Sequence, residues 1–300
     1  MARSRSLVNP LLLALVVALL AYAAFVVLGL PARAEIRALV QKTPSKTVLM
    51  KQREREAKAK GRTAPRTQIL VPVSRISRWL IQAVISSEDQ NFFGHQGVDW
   101  NALQESVEKN LEKRRFARGG STITQQLAKN LYFGTEKSPA RKLRELIVTR
   151  WMEDDLTKRR ILELYLNVIE WGDGLYGAEA ASRRYYGKAA SDVDANEAAG
   201  LAAMIPNPRR INPLVNPARH ARAQRRVLWL MAGAGFLERT AAGLGSEPPT
   251  PEPVVEDEDE FEEPPAETAP PPSPAAPSPG IEPTPAPTPS PTPTPPGESR

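Results

Sequence analysis

The longest apolar stretch of the chain lies near its N-terminus. Residues 11–30 carry no charge, and as a helix they would rise about 30 Å, which matches the hydrocarbon core of a bilayer. Arg3 and Arg5 precede the stretch. Because basic residues stay on the cytoplasmic side, the pattern predicts a transmembrane anchor over residues 7–32, with residues 1–6 inside the cell and the rest of the chain outside.

A cleaved signal peptide is the alternative interpretation of this stretch. Ala32-Arg33-Ala34 resembles a small-residue cleavage site. However, the apolar stretch is longer than the ~7–15 residues of a typical signal-peptide core. We therefore expect an uncleaved, single-pass anchor in the cytoplasmic (inner) membrane, with the bulk of the chain periplasmic or otherwise extracytoplasmic.

The body of the chain shows helical periodicity. Residues 33–70 are polar and predict a basic juxtamembrane linker, since a helix there would have little apolar face. In residues 71–245 apolar positions recur at i, i+3, i+4 and i+7. One predicted helix carries an apolar stripe of Leu143, Leu146, Ile147 and Trp151, and the predicted N-caps of other helices are Asp99, Ser121 and Thr157. With no alternating strand pattern, we expect one mostly α-helical domain.

Charge and proline divide the chain in two. Residues 246–300 hold 20 of the 30 prolines and carry a net charge of −11, which leaves +17 on residues 1–245. Such a tail cannot bury enough apolar surface to fold, so it is predicted to be disordered. The basic remainder suits anionic lipid and phosphate. Nucleic acid is not an expected partner, because the body is predicted to be exported and has no aromatic–basic motif for reading bases.

The absence of cysteine narrows the chemistry further. The chain has no cysteine and two histidines. This excludes a disulfide framework, a thiolate zinc site and a cysteine nucleophile. The two histidines leave almost nothing for a His-rich metal site.

Residues 86–100 combine carboxylates with aromatic side chains. Glu88 ends a predicted apolar helix and is followed by Asp89, Phe92 and Phe93. A carboxylate beside aromatic bulk is partly desolvated, which raises its pKa toward the range where an acid or base works. The alternative is an ordinary helix-end carboxylate next to a core aromatic pair.

The next polar cluster follows a basic, glycine-containing loop at residues 114–120. The start of the following helix carries the side chains of Ser121, Thr124, Gln125, Gln126 and Lys129. Helix N-terminal amides with hydroxyl and ammonium donors favour an anionic, phosphate-like ligand. The alternative is a capped helix with a polar face.

A third cluster contains opposite charges at helical spacing. Arg141 and Glu145 are i, i+4, and Lys142 and Glu145 are i, i+3, so all three share one face. By itself this pattern is also typical of a surface ion pair worth ~0.3–0.5 kcal/mol.

Four sequence motifs follow one another along the chain. They read S-E-D-x-x-F-F-x-H-x-G-V-D, G-G-S-T-I-T-Q-Q-L-A-K-N, R-K-L-R-E and R-R-I-L-E-L-Y-L-N. Together they resemble the motif set of the peptidoglycan glycosyltransferases, and most closely their monofunctional biosynthetic type. The resemblance covers residues 71–237 and the anchor arrangement.

The resemblance implies a fold, a reaction and a substrate. The fold would be a lysozyme-like helical domain with a smaller membrane-apposed lobe. The substrate would be lipid II, whose disaccharides are joined by β-1,4 bonds, with inversion, to the growing glycan strand as undecaprenyl pyrophosphate leaves. Other proteins of cell-wall synthesis or division are expected partners.

The resemblance also assigns roles to individual residues. Glu88 matches the general base and Glu145 a second glutamate on the donor side, where a divalent metal, Mg²⁺ or Mn²⁺, is an optional cofactor. Matching the pyrophosphate-side cations are Lys129, Arg141 and Lys142. Matching substrate-contacting positions are Ser121, Thr124, Gln125 and Gln126. Asp89 and His95 match supporting positions, for which a structural hydrogen bond is an equal alternative.

Two alternative functions remain at this stage. A lysozyme-like wall-cleaving enzyme would use one helix-end glutamate as a general acid but has no need of a phosphate-side cation cluster. A non-catalytic envelope scaffold would recruit partners through the Pro-rich tail. A transpeptidase domain, which bifunctional relatives carry, is not expected here, because Ser106-Val-Glu-Lys109 lacks its accompanying motifs.

Overall fold

The protein is mostly helical, as the sequence predicted. The computed structural model describes residues 10–113, 120–240 and 243–245, without the side chains of residues 107 and 109–113. The predicted Pro-rich tail at residues 246–300 lies outside the described residues, as do residues 114–119 of the predicted basic loop.

Most elements of the described residues are helices, and three short strands lie among them. The helices of the described residues are α1 (Pro10–Leu28), α2 (Arg33–Ala38), α3 (Val48–Ala59), α4 (Arg78–Glu88), α5 (Trp100–Lys113), α6 (Ile123–Ala128), α7 (Pro139–Asp155), α8 (Lys158–Val168), α9 (Ala178–Tyr186), α10 (Ala195–Met204) and α11 (Pro217–Gly233). A 3₁₀ turn (Val73–Arg75) precedes α4, and a π-helical turn (Lys129–Phe133) follows α6. The strands are β1 (Thr67–Gln68), β2 (Glu170–Gly172) and β3 (Leu175–Tyr176).

The first helix has the character predicted for a membrane anchor. α1 is long and apolar enough to cross a bilayer. Its side chains are exposed except for Val26, which is 3 % exposed. An apolar helix with no protein around most of its surface is expected to be surrounded by lipid.

A small sheet was not predicted from the sequence. β3 lies between β1 and β2, parallel to β1 and antiparallel to β2. Strands of two or three residues are too short to show alternation. The turn between β2 and β3 needs Gly174, which has φ +67° and lies where a Cβ would come 1.9 Å from the carbonyl oxygen of Pro65.

The core forms where three helices meet and where α6 packs on α7 and α8. α4, α10 and α11 contact one another, and α8 supplies a face that is almost fully buried. Asp99 and Thr157 cap α5 and α8 as predicted, by accepting the N–H groups of Ala102 and Arg160. The N-cap of α6 is Thr122, one residue after the predicted Ser121.

The buried face of α7 differs from the predicted apolar stripe. Leu143 is 42 % exposed, and the other three residues of the stripe are only partly buried. The interior instead receives Glu145, Val148 and Met152. The prediction was wrong here because the buried face of α7 combines a charged residue, Glu145, with apolar ones, and α7 is also contacted by α1 and α2.

The predicted linker packs against the core instead of remaining solvated. Ile36 and Met50 are at most 1 % exposed. Arg53 of α3 donates to Glu170 at 3.1 Å, and Arg209 donates to the other oxygen of the same carboxylate at 3.0 Å. Because the side chain of Glu170 is 5 % exposed, this bridge fixes α3 to the sheet.

We predict that Glu170→Gln lowers the free energy of unfolding by about 2 kcal/mol, because it removes the buried charge that joins two arginines, although Arg53 keeps Glu56 and Arg209 keeps Asp173. Denaturant unfolding followed by tryptophan fluorescence measures this loss. Glu54→Gln is the matched control, since Glu54 pairs with Lys46 at the surface and should contribute little. Equal stability of both variants would contradict the bridge.

Candidate active site

The predicted base, Glu88, is the last residue of α4. The helix begins at Ser77, whose hydroxyl accepts the N–H of Trp79 at 3.2 Å. It ends after Glu88 because Asp89 adopts an extended backbone with φ −163°. The apolar face of α4 packs in the core and so fixes the position of this end.

The carboxylate of Glu88 is held by a hydrogen-bonded chain. Gln126 of α6 donates its amide N–H to Glu88 Oε2 at 2.8 Å, and Tyr165 of α8 donates its hydroxyl to Gln126 Oε1 at 2.9 Å. Tyr165 is fully buried, which raises its pKa well above the ordinary value. The phenol therefore stays a donor and fixes which way the Gln126 amide faces.

Burial raises the pKa of Glu88 above the usual carboxyl range. The hydrogen bond from Gln126 and the ammonium of Lys129 act in the opposite direction, while the neighbouring Asp89 adds to the rise. A carboxylate tuned in this way is a stronger base than a solvated one. The direction of this shift is the one expected from the sequence, and the contacts at the carboxylate come from Gln126 and, through it, Tyr165.

Lys129 begins the π-helical turn that follows α6. Burial lowers its pKa, and the cations of Arg141 and Lys142 contribute to the decrease, whereas Glu145 and Glu88 oppose it. Of the charged groups that act on this ammonium group, two are carboxylates and two are cations. A cation held in this way is placed to receive an anion.

The predicted charge cluster on α7 is built around a buried carboxylate, unlike an ordinary surface ion pair. Glu145 is 2 % exposed. It accepts from Arg141 Nη1 at 2.8 Å on one oxygen and from Lys142 Nζ at 2.6 Å on the other. Lys142 Nζ also lies 3.4 Å from Ser121 Oγ at the start of α6. The cluster therefore joins two of the four sequence motifs.

The cluster has more positive than negative charge. Lys129, Arg141 and Lys142 lie near two carboxylates, that of the buried Glu145 and, beside Lys129, that of Glu88. In addition, Arg141 Nε is buried and has no partner. An unpaired buried donor and an excess of cations both favour a ligand that accepts hydrogen bonds and carries negative charge.

The same residues do not fit a divalent metal at Glu145. Both oxygens of its carboxylate already accept hydrogen bonds from cations, so a metal ion would meet two fixed positive charges. Among the described residues there is no group of three or more histidine or acidic side chains able to hold a metal ion. The donor set suits an anion instead.

Thr124 and Gln125 have structural partners. Thr124 is fully buried and donates to Glu153 at 2.5 Å. Gln125 accepts the N–H of Thr122 at 3.0 Å in a capping box at the start of α6. The structure thus does not bring these two side chains to Glu88. Their predicted contact with substrate stays a prediction.

Asp89 and His95 stabilise the loop after α4 through hydrogen bonds. Gly97 donates its N–H to His95 Nδ1 at 3.0 Å, so Nε2 carries the proton and donates to Asp89 Oδ1 at 2.9 Å. Asp89 Oδ2 also accepts the N–H of Ile123 at 3.0 Å. This carboxylate therefore ties the end of α4 to the start of α6, the structural alternative considered from the sequence.

Tyr165 is the main site residue that sequence reasoning missed. It appears in the sequence as one apolar position in the stripe of α8. Its partner Gln126 lies 39 residues earlier, so no local motif connects them. A tyrosine on an otherwise aliphatic buried face was the available signal, because a buried hydroxyl normally requires a partner.

Comparisons with known proteins agree with this geometry. A family model described as transglycosylase matches residues 54–232. The chain is similar to biosynthetic peptidoglycan transglycosylases of Nitrosospira multiformis (46 % identity, covering 64 % of this chain and 84 % of the relative), Thiobacillus denitrificans (51 %, covering 55 % and 72 %) and Aromatoleum aromaticum (48 %, covering 61 % and 79 %).

The family match spans more than half of the chain, and it includes Glu88, Lys129 and Glu145 with the helices that hold them. The chain therefore belongs to the transglycosylase family, within which its similar relatives are biosynthetic peptidoglycan transglycosylases.

Proposed function

We propose that the chain is a peptidoglycan glycosyltransferase that joins lipid II disaccharides into the glycan strand of the bacterial cell wall. The family and the names of the relatives support this reaction class. The observation that carries it is the placement of Glu88, a carboxylate with a raised pKa, close to Lys129, together with the ion pairs of Arg141 and Lys142 on Glu145.

Glu88 is proposed to remove the proton from the 4-hydroxyl of the acceptor sugar. Its Oε2 is engaged by Gln126, while Oε1 has no hydrogen bond to the described residues and is available for that proton. As the O–H bond breaks, the oxygen attacks the anomeric carbon of the donor from the side opposite the leaving group, which inverts that centre. Glu88 then returns the proton to solvent.

The cations are proposed to stabilise the pyrophosphate as the glycosidic C–O bond to it breaks. Charge develops on the leaving oxygen, where Lys129, Arg141 and Lys142 supply preorganised positive charge. The buried Glu145 holds Arg141 and Lys142 in place through short ion pairs. Thus Glu145 acts on the leaving group through its two neighbours.

The membrane arrangement is proposed to follow from the same substrate. Lipid II lies in a bilayer, and α1 is long and apolar enough to hold the catalyst there. The arginines at positions 3 and 5 favour an N-terminus in the cytoplasm and an extracytoplasmic catalytic domain in the inner membrane. Proteins of wall synthesis or division remain predicted partners.

A first prediction concerns Glu88→Gln, which keeps the shape and the Gln126 contact but removes the base. We expect glycan polymerisation on lipid II to fall by about 10²–10⁴-fold, the usual contribution of a positioned base. Gel separation of labelled glycan, together with measurement of released undecaprenyl pyrophosphate, reports the loss.

The matched control is Glu136→Gln, at an exposed position between α6 and α7, which should polymerise like the wild type. Full activity of Glu88→Gln would disprove the assigned base. Breakdown of preformed glycan by the wild type, without lipid II polymerisation, would instead support a wall-cleaving enzyme.

A second prediction concerns pH. The acidic limb of kcat/KM follows deprotonation of Glu88 in the free enzyme. Since burial raises this pKa, the limb should lie above the ordinary glutamate pKa of about 4.3. The Gln126 hydrogen bond lowers the pKa, so Gln126→Met should move the limb to higher pH. Initial rates of lipid II polymerisation across pH test this.

Gln104→Met is the control, because Gln104 donates to Glu108 on the exposed face of α5. Its pH profile should match that of the wild type. A limb that stays fixed or moves to lower pH in Gln126→Met would contradict the proposed control of Glu88.

A further inference from the structure

The C-terminal end of the membrane helix is capped by a side chain of the catalytic helix. Arg144 of α7 donates through Nε to the carbonyl oxygen of Val26 at 3.0 Å and through Nη2 to that of Phe25 at 2.5 Å. Its guanidinium carbon lies 4.6 Å from the centre of the Phe25 ring. The last carbonyls of a helix lack partners within it and carry partial negative charge, so a cation with several donors is well suited there.

The residue after the helix leaves room for this contact. A Cβ placed on Gly29 would lie 2.1 Å from Arg144 Cζ. Any side chain at this position would therefore displace the guanidinium. The space occupied by Arg144 depends on the absence of a side chain at Gly29.

A second contact fixes the chain just beyond the anchor. Arg33, the first residue of α2, donates from Nε and Nη2 to the two oxygens of Asp155 at 2.9 and 3.2 Å. Asp155 ends α7, so α7 contacts the segment that leaves the membrane at two places 11 residues apart in sequence. Two separated contacts restrain the orientation of α7 relative to α1, which one contact alone does not.

The same helix holds the cation cluster. Arg144 precedes Glu145 and follows Lys142 by two residues, which is an axial rise of only about 3 Å. Therefore the anchor end and the proposed pyrophosphate site lie within about one turn of α7. A lipid pyrophosphate is expected at the bilayer surface, at the level where the anchor leaves the hydrocarbon core.

We propose that Arg144 is a positioning residue that locks the catalytic helix to the outer end of the membrane anchor and so holds the cation cluster at the level of the lipid phosphates. This inference rests on the proposed function. Arg144 need not touch the substrate. By fixing α7 to the end of α1, it sets the depth and tilt of the active site relative to the bilayer.

The test uses the full chain with Arg144→Met and, independently, Gly29→Ala, which displaces the guanidinium without changing α7. Polymerisation of lipid II in proteoliposomes should fall about tenfold or more in both, because small misplacements are costly. Turnover of a short-chain lipid II analogue in solution should stay close to wild type, since that substrate does not require a set depth. Arg144→Lys should recover part of the activity.

The controls match each change. Gly233→Ala adds a Cβ that meets nothing within 4 Å, and Arg75→Met removes a charge from an exposed arginine. Both should leave activity on the two substrates unchanged. Equal loss on both substrates in Arg144→Met and Gly29→Ala would overturn the positioning role.

A structural readout separates this proposal from the proposed function. Because the chain has no cysteine, single cysteines at Leu20 and Arg159 allow a spin-label pair, and electron-spin distance measurement in nanodiscs reports the orientation of α1. The wild type should give a narrow distribution, and both variants a broader one. Unchanged distributions, or broadened ones with undiminished polymerisation in proteoliposomes, would overturn the inference. Failure of the wild type to polymerise lipid II would refute the proposed function while this measurement still tested the lock.

Discussion

The properties of the candidate active site depend on an excess of partly buried positive charge. Lys129, Arg141 and Lys142 lie together with one buried carboxylate between them, that of Glu145. Burying like charges is unfavourable unless a counter-charge arrives, and the burial-lowered pKa of Lys129 reflects this cost. The apo protein therefore holds a site that an anionic group completes. Chemistry that creates negative charge at this point gains the most from it.

The rest of the domain positions Glu88, the proposed base, near that charge. The end of α4 presents Glu88, and α6 and α8 fix it through Gln126 and Tyr165. The Asp89–His95 pair ties the end of α4 to the start of α6, the helix that leads to Lys129. Helix α7, which carries Arg141, Lys142 and Glu145, also contacts the end of the apolar helix α1 through Arg144.

The sequence predicted these elements to different degrees. The helices that follow an apolar repeat, such as α4 and α8, were predictable because a buried face imposes a 3.6-residue period. The sheet was not, since two-residue strands form through pairing with distant segments. The buried face of α7 was also mispredicted. Burial of Glu145 depends on ion pairs with Arg141 and Lys142. The spacing of apolar residues cannot predict the burial of a charged residue that is stabilised in this way.

The motifs predicted which residues form the candidate site. They did not predict which of these residues contact Glu88 and the cations and which have structural partners. Ser121 and Gln126 reach Lys142 and Glu88, whereas Thr124 bonds to Glu153 of α7 and Gln125 caps the start of α6. All four are polar and lie within six residues, so only the direction of each side chain separates their roles. Arg144 shows the same limit, because its partners are backbone carbonyls more than a hundred residues away.

The central claim is that the cleft stabilises a departing pyrophosphate, and the single-turnover rate of Lys129→Met with enzyme in excess over lipid II tests it most directly. The account predicts that the chemical step, followed by release of undecaprenyl pyrophosphate, slows about a hundredfold or more while the affinity for lipid II changes little. Weakened binding with an unchanged chemical step would contradict it, because the cations would then serve only to hold the substrate.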